Sequence, residues 1–212
     1  MIRSEAVARI QTRLSFRTDR EAEIIDALKD TQVELEREHE LPWFLLSEVA
    51  SYSTTANEER VSHPSDYLRE WEGDHIWLFI AGDTVAENIW TPLLKVELDQ
   101  LRLDYAGSGP PEAYAVSGNY WRLGPVPDDT YTLKQIYYKQ DDTLDTNIEN
   151  AWLKYAPDLM IGKAGRKIAW PLRDMTALAE FEKMEFQGNN RMLIENIQHE
   201  QVNRDLQMGG PD

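Results

Sequence analysis

The chain has 212 residues, with 38 acidic and 22 basic side chains and a formal net charge of −16. Hydrophobic residues make up 42% of it, which is enough for a packed core and argues against wholesale disorder. The acidic balance opposes a protein that grips nucleic acid phosphates, because such proteins cluster Lys and Arg. No stretch approaches the ~18 apolar residues of a membrane span, and residues 1–16 lack the apolar segment of a secretory signal. We therefore expect a soluble intracellular protein with no membrane partner.

Metal and cofactor chemistry has little support in the composition. Cysteine is absent, which excludes disulfides and thiolate metal sites. The four histidines, His39, His63, His75 and His199, show no metal-ligand spacing. We expect neither a metal site nor a cofactor.

The first 44 residues predict two helices. Ser4 is a candidate N-cap for the first, and Thr18 with Glu21 matches a capping box that opens the second. The second helix should end near Leu41-Pro42, since proline cannot continue the hydrogen-bond ladder. Its predicted inner face consists of Ile24, Ile25, Leu28, Gln32 and Leu35.

The middle of the chain changes to strand-like patterns separated by Gly, Pro, Asn and Asp turns. The clearest pattern is at 130–139, where large apolar and polar residues alternate at first, as in a strand with one buried face. A helical stripe interrupts the strands at 93–105. The predicted strands cover 46–55, 75–80, 113–116, 120–123 and 130–139.

Helical patterns resume after an acidic stretch at 141–150, which we interpret as a solvated linker. Asp141, Asp142 and Asp145 offer the oxygen ligands of a hard cation, but the EF-hand spacing is absent. Pro157 is suited to the first turn of a helix and Asp174 to the cap of a long last helix. The glycine at 188 should weaken that helix midway. Its predicted apolar stripe consists of Leu178, Phe181, Met184, Met192, Ile194, Ile197, Val202 and Leu206.

Helices, grouped strands and further helices, in that order, predict an α+β fold rather than a parallel α/β sheet. In this fold the N- and C-terminal helices form a bundle and the strands form an inserted antiparallel β domain. The predicted boundaries are 1–44 and 145–207 for the bundle, 45–144 for the β domain and 208–212 for a flexible tail.

An ordered set of motifs resembles one protein family. The set begins with Leu41-Pro42-Trp43-Phe44 after the helical pair and continues through the β stretch and the next helix. The further motifs are Pro110-Pro111-Glu112-Ala113-Tyr114 with Gly118, Leu123-Gly124-Pro125-Val126-Pro127, Tyr131-Thr132-Leu133 with Tyr137-Tyr138, and Pro157-Asp158-Leu159. In this order they resemble the head-to-tail adaptor, or connector, proteins of tailed bacteriophages, including tail tubular protein A of short-tailed phages. The segment Gly162-Lys163-Ala164-Gly165-Arg166 departs from the Ala-rich, more apolar helix common in that family.

The resemblance implies a structural virion protein of the neck, assembled in the host cytoplasm. It implies a homo-oligomeric ring, usually of 12 copies, that joins the portal protein to a tail nozzle or tail tube protein. DNA would pass through the channel without specific binding. The family's C-terminal segment commonly reaches the portal, which here corresponds to about 194–212. The portal-binding residues predicted on this basis are Gln198, Gln201, Arg204, Asp205 and Met208.

Charge and aromatic content are compatible with such a ring. Acidic side chains lining a channel would repel DNA phosphates, so the genome would slide through. Core positions are expected for Trp77, Trp121, Trp152 and Tyr137. Subunit contacts are possible for Trp43, Trp71, Trp90 and Trp170, because aromatic side chains anchor interfaces. Candidates for salt contacts with neighbouring chains are Arg102, Arg166, Lys167 and Arg191.

Enzymatic functions have weak support. The loop Ser62-His63-Pro64-Ser65-Asp66 holds the residue types of a hydrolytic triad, but neighbours in a short loop rarely converge in triad geometry and no GxSxG elbow is present. The segment 162–166 lacks the P-loop pattern. The chain is therefore predicted not to be an enzyme. A soluble acidic protein-binding or regulatory module remains the alternative to a virion adaptor.

Overall fold

The structure is a computed structural model, and it describes residues 1–38, 40–47, 50–71, 76–80 and 89–208. Side chains are described over the same ranges except at 50, 89 and 200–208. The chain divides into two compact units, one formed by residues 1–45 and 140–212 and the other by 46–139.

The first unit is helical. Its helices are α1 (Arg3–Arg13), α2 (Glu21–Glu36), α4 (Ala151–Tyr155), α5 (Pro157–Leu172) and α6 (Met175–Met208). Single 3₁₀ turns lie at Thr18–Arg20 and Trp43–Leu45. Helix α5 packs against both α2 and α6, and it contributes Met160, Ile161 and Ala164 to a buried core with Leu28 and Phe181. A bundle of amphipathic helices around one apolar core follows from these contacts.

The helix starts differ from the sequence predictions. Ser4 lies inside α1, where its N–H donates to the Asn147 side chain at 2.8 Å, and Glu5 accepts from the N–H of Ile2 at 3.0 Å. The Ser4 cap is therefore wrong, because a distant asparagine and the local glutamate satisfy those N–H groups. The capping box at Thr18 is also wrong, since Thr18 lies in the 3₁₀ turn and α2 begins at Glu21 without a side-chain cap.

The starts of α5 and α6 follow simple capping rules, whereas α2 ends at Glu36, before the predicted stop near Leu41-Pro42. Pro157 occupies the first turn of α5 as predicted, and Asp174 accepts from the N–H of Ala177 at 3.0 Å to cap α6. Between the two helices Arg173 adopts a left-handed conformation with φ of 55°. This two-residue connection fixes α5 and α6 as antiparallel neighbours.

Close contact between α5 and α6 depends on glycine. A Cβ atom at Gly162 would lie 2.8 Å from the carbonyl oxygen of Phe181, and one at Gly188 would lie 2.8 Å from the Cα of Leu159. Gly165 faces the Phe181 ring in the same way. The expectation that Gly188 weakens α6 is therefore wrong, because the helix runs unbroken for 34 residues and the missing side chain lets the backbones approach.

The second unit carries the strands. Within the described residues they are β1 (Ala50–Ser53), β2 (Arg60–Ser62), β3 (Tyr67–Glu70), β4 (Trp77–Ile80), β5 (Ile89–Pro92), β6 (Leu94–Lys95), β7 (Ala113–Ser117), β8 (Tyr120–Gly124), β9 (Thr132–Gln135) and β10 (Tyr137–Lys139). They form sheets with the orders β1-β9-β4-β5, β2-β8-β7-β6 and β10-β3, antiparallel except for the β6–β7 pair. The predicted α+β fold, a helical bundle with an antiparallel β insertion, is confirmed.

Alternation along the strands positions the core of this unit. Tyr114 points into a cluster with Trp121, Leu123, Leu78 and Leu133, so the two four-stranded sheets share one core. The other face of β7 places Ala113 and Ala115 against α3 (Leu98–Asp104).

Two predicted elements in this unit are shorter than expected. The stretch 130–139 divides at Ile136 into β9 and β10, which pair with different strands. Of the helix predicted at 93–105, only Leu98–Asp104 is helical, because Leu94–Lys95 forms β6 at the edge of a sheet.

Candidate interaction surfaces

An apolar stripe lies exposed on one side of α6. Met175, Phe186 and Ile197 are eleven residues apart, and eleven residues return an α-helix to within about 20° of the same direction. Phe186 is 68% exposed, Ile197 56% and Ile194, on the adjoining turn, 57%. We call Phe186, Ile194, Ile197 and the half-buried Leu193 the α6 stripe. Apolar side chains clustered in this way mark contacts with other proteins.

This stripe corrects the predicted inner face of α6. Ile194 and Ile197 were expected to face the bundle with Met192, yet only Met192 is buried. The bundle side of this part of the helix carries Asn196 and His199 instead. Sequence periodicity missed this because it assigned all apolar residues of the helix to one face.

The charges beside the α6 stripe are balanced. Glu180 pairs with Arg13 at 3.9 Å, Glu185 with Arg166 at 3.2 Å and Glu195 with Arg191 at 3.0 Å. Glu182 is followed directly by Lys183. With these partners included, the four carboxylates of residues 175–199 are balanced by four basic side chains, of which Arg13 and Arg166 lie on other helices, although the whole chain carries −16. The stripe lies in a locally neutral region of a strongly acidic protein.

Three of the four basic residues predicted to contact neighbouring chains form ion pairs within the chain itself. Arg166 and Arg191 form the pairs given above, and Lys167 lies 2.8 Å from Glu34 on α2. Exposed pairs of this kind add little stability. Their effect here is to reduce the uncompensated charge around α6.

The second half of α6 is held by polar and aromatic contacts with the Trp43 turn. The N–H of Trp43 donates to Asn196 Oδ1 at 3.0 Å, and the His199 ring stacks on the Trp43 ring with centroids 3.9 Å apart. Trp43 also contacts Tyr155. We call Trp43, Asn196 and His199 the Trp43 clasp. The Pro-Trp pair ending the helical hairpin therefore has a structural role in the bundle.

The predicted portal-binding residues lie at the end of α6. Gln198 is exposed. The backbone positions of Gln201, Arg204, Asp205 and Met208 continue the helix, while their side chains and residues 209–212 fall outside the described part of the chain. Because Gly188 faces Leu159 near the start of α5, about twenty residues of α6, on the order of 30 Å, extend past that point.

The acidic stretch at 141–150 is not a solvated linker throughout, and that interpretation is wrong for its two ends. Asp141 accepts from the N–H groups of Asp142 at 2.9 Å and Trp152 at 3.1 Å. Asn150 is buried, caps α4 through the N–H of Leu153, and donates to Gln32 at 3.2 Å. Asp145, in contrast, is exposed and pairs with Lys29 at 2.6 Å.

Glu36 is at the centre of this polar group. It is 7% exposed, and its Oε1 accepts from Gln32 Nε2 at 2.9 Å, the N–H of Asp141 at 3.2 Å and Trp152 Nε1 at 3.3 Å. Burial raises the pKa of Glu36, with the three donors acting against that shift. Burial likewise raises the pKa of Asp141. These contacts bind the segment from Asp141 to Trp152 to α2. The one sequence signal for them was the polar Gln32 within the predicted apolar face.

The histidine-containing loop has no triad arrangement among its own residues. His63 lies against the rings of Tyr67 and Trp121, with centroids 4.1 and 4.5 Å away, and burial lowers its pKa. Asp66 accepts from the Tyr137 hydroxyl at 2.9 Å, and burial followed by this contact raises the pKa of Tyr137 to about 12. The histidine and the aspartate are thus occupied with different partners.

Of the four aromatic residues expected in the core, three are buried. Trp121, Trp152 and Tyr137 are buried, while Trp170 is 70% exposed. Trp77, Trp43, Trp71 and Trp90 are half-buried, and Lys134 Nζ lies 4.1 Å from the centre of the Trp90 ring. Trp170 follows Arg166 by one turn, so it lies on the side of α5 from which Arg166 reaches Glu185 on α6.

The described residues show neither a cluster of metal ligands nor a membrane-spanning helix. No cluster of three or more His, Asp or Glu is placed to hold a metal ion in the part of the chain described. His39 and His75 lie outside it. None of the helices, over those ranges, combines the length and apolar character that crossing a bilayer requires.

Helix α6 thus has a locally neutral apolar face and an end that extends beyond α5. Both features are typical of a protein that works through contacts with other proteins. A family model described as SU10 adaptor protein matches residues 1–207. The chain belongs to this family, which makes it a structural adaptor protein of a phage virion. Among curated proteins, none matches the chain.

Proposed function

We propose that this adaptor forms a ring beneath the portal and joins the capsid to a tail nozzle or tail tube protein in the virion neck. The ring has twelve copies, assembles in the host cytoplasm and leaves a channel through which DNA passes. In this role the chain is the counterpart of tail tubular protein A in short-tailed phages, and it acts without catalysis.

The observation that carries the proposal is the long α6. Its first half is fixed on α5 and its second half extends past the start of α5, held near Asn196 and His199 by Trp43. Residues 198–208 therefore belong to a helix whose direction is set by the bundle. A helix end positioned in this way is suited to insertion between portal subunits, as expected for Gln198, Gln201, Arg204, Asp205 and Met208.

A chain truncated after His199 tests this role while keeping the Trp43 clasp. Size-exclusion chromatography with mass measurement should show the full chain binding portal as a multi-copy ring and the truncated chain remaining unbound. Circular dichroism of both chains checks that the bundle is intact. Unchanged portal binding by the truncated chain would defeat the assignment of the C-terminal segment.

The outcome for the full chain separates the two function classes. A monomer that becomes a ring only in the presence of portal supports the adaptor. A chain indifferent to portal would instead favour a soluble acidic binding module.

The acidic balance supports a sliding role for the channel. Like charges repel across water-filled distances comparable with the Debye length, about 8 Å at physiological salt. A chain with a net charge of −16 has no general attraction for DNA phosphates. A map of the assembled particle with a neutral or basic inner wall would refute this part of the proposal.

A further inference from the structure

We infer that the α6 stripe is the face through which one copy contacts the next copy in the ring. This assignment rests on the proposed ring and goes beyond it by naming the lateral contact surface. Phe186, Leu193, Ile194 and Ile197 would bury their apolar side chains against a neighbouring copy.

The exposed area is unusual for a side of a helix that faces water. Phe186 and Ile197 are each more than half exposed, although α6 offers buried positions such as Phe181 and Met192 on its other side. Removing Phe and Ile side chains from water is favourable and is a main driving force of protein association. The stripe therefore supplies the apolar anchors that interface cores contain.

Charge identifies the occupant as a like-charged copy. Two chains of net charge −16 repel each other over most approaches. Repulsion is least where carboxylates are already paired, as Glu180, Glu185 and Glu195 are beside the stripe. A basic partner would gain nothing from a neutral face and would be attracted to the acidic remainder of the surface.

Ring closure requires that the stripe meet a different surface on the next copy. Pairing of the stripe with itself would end at a dimer, whereas a head-to-tail contact repeats around an axis. The receiving surface therefore belongs to another part of the neighbour.

The test uses the full-length double variant Phe186→Ser, Ile197→Ser, which keeps Gln198 and all four other residues predicted to bind the portal. We expect an unchanged circular dichroism spectrum and melting temperature, because both side chains are exposed. On portal, the variant should need about ten-fold more protein for half-maximal loading and should load without cooperativity. The matched control is Leu103→Ser, which replaces an 80% exposed apolar side chain on α3, away from the α6 stripe.

Salt provides an independent readout. Raising the concentration from about 50 to about 500 mM should strengthen assembly of the wild-type ring about two-fold or more, since it screens repulsion between acidic copies. Weaker assembly at high salt would show a contact based on ion pairs and would overturn the inference. Wild-type loading by the double variant would overturn it as well.

Failure of the inference and failure of the proposed function are distinguishable. If the wild-type chain never binds portal, the proposed function fails, and sedimentation of the concentrated chain alone then decides the role of the stripe. Self-association that the double variant lacks would support the stripe, and equal behaviour of the two would refute it. The absence of cysteine also permits Asn190→Cys, labelled with a photocrosslinker, to report whether a neighbouring copy lies on this face.

Discussion

The two halves of α6 are held in the same bundle by different physical means. The first half lies so close to α5 that glycine is required at 162 and 188. The second half is held through a hydrogen bond to Asn196 and a ring stack on His199. Backbone contact of the first kind tolerates almost no change, whereas a polar contact can be released and remade. The comparison indicates that the first half of α6 contributes most to stability, whereas the second half is held by contacts that can be released.

The largest expected effect comes from adding a methyl group at the glycine contact. Gly162→Ala should lower the free energy of unfolding by about 3 kcal/mol or more, because the new Cβ meets backbone atoms of Phe181 and Glu185. The higher helix propensity of alanine relative to glycine offsets only about 1 kcal/mol of this loss. Urea unfolding followed by circular dichroism measures the loss. Gly109→Ala is the control, since a Cβ there meets nothing within 4 Å, and equal stability of the two variants would contradict the glycine argument.

The polar group around Glu36 differs from the contacts of both halves of α6, because it is polar yet buried. Glu36→Ala leaves the N–H of Asp141 and Trp152 Nε1 without their acceptor, while Gln32 keeps its contacts with the carbonyl oxygens of Asp141 and Asp142. We expect a loss of about 2–3 kcal/mol in the same urea assay. Glu36→Gln retains an acceptor oxygen and should lose far less. Similar losses in both variants would mean that the charge of Glu36, not its role as acceptor, stabilises the fold.

A smaller effect is expected in the Trp43 clasp. Asn196→Ala removes the acceptor of the Trp43 N–H and should cost about 1 kcal/mol, felt locally rather than throughout the bundle. Hydrogen exchange should quicken at residues 192–199 and stay unchanged at 177–188. Uniform faster exchange along all of α6 would show that the two halves unfold together and would break the distinction between them.

The smallest effect is a pH dependence. The pKa of Glu36 is raised on folding, so the folded state binds the proton more tightly than the unfolded chain does. As pH rises from the ordinary carboxyl pKa through the raised value, the contribution of Glu36 to the free energy of unfolding therefore falls, and above that window it is constant. Urea midpoints across this window should decline less in Glu36→Gln than in the wild type. Parallel profiles would exclude Glu36 as the titrating group.

Local patterns predicted the fold class well. Grouping of strands between helical runs indicated the α+β arrangement, and Pro157 and Asp174 marked helix starts correctly. Capping failed at Ser4 because a partner that satisfies α1 is remote in sequence, as Asn147 is, and at Thr18 because a 3₁₀ turn lies between it and α2. No local rule anticipates a partner that lies 143 residues further along the chain.

The candidate surfaces were harder to predict. An apolar pattern on α6 identifies a helix but does not tell which apolar residues face the bundle, so Ile194 and Ile197 were placed inside. The choice is made by Gly188 and the Trp43 clasp, which are contacts between elements distant in sequence. The burial of Glu36 and Asp141 was hard to predict for the same reason, because it depends on Asp141 lying against α2.

Because the connection at Arg173 and Asp174 is short, the number of residues in α6 determines how far its C-terminal end extends past α5. Since α5 and α6 are locked in register by Gly162 and Gly188, every residue inserted after Gly188 would advance the far end by about 1.5 Å and turn it by about 100°. An insertion of eleven residues would add about 16 Å while nearly restoring the original orientation. Related adaptors that span a different gap should therefore differ here in steps of seven or eleven residues.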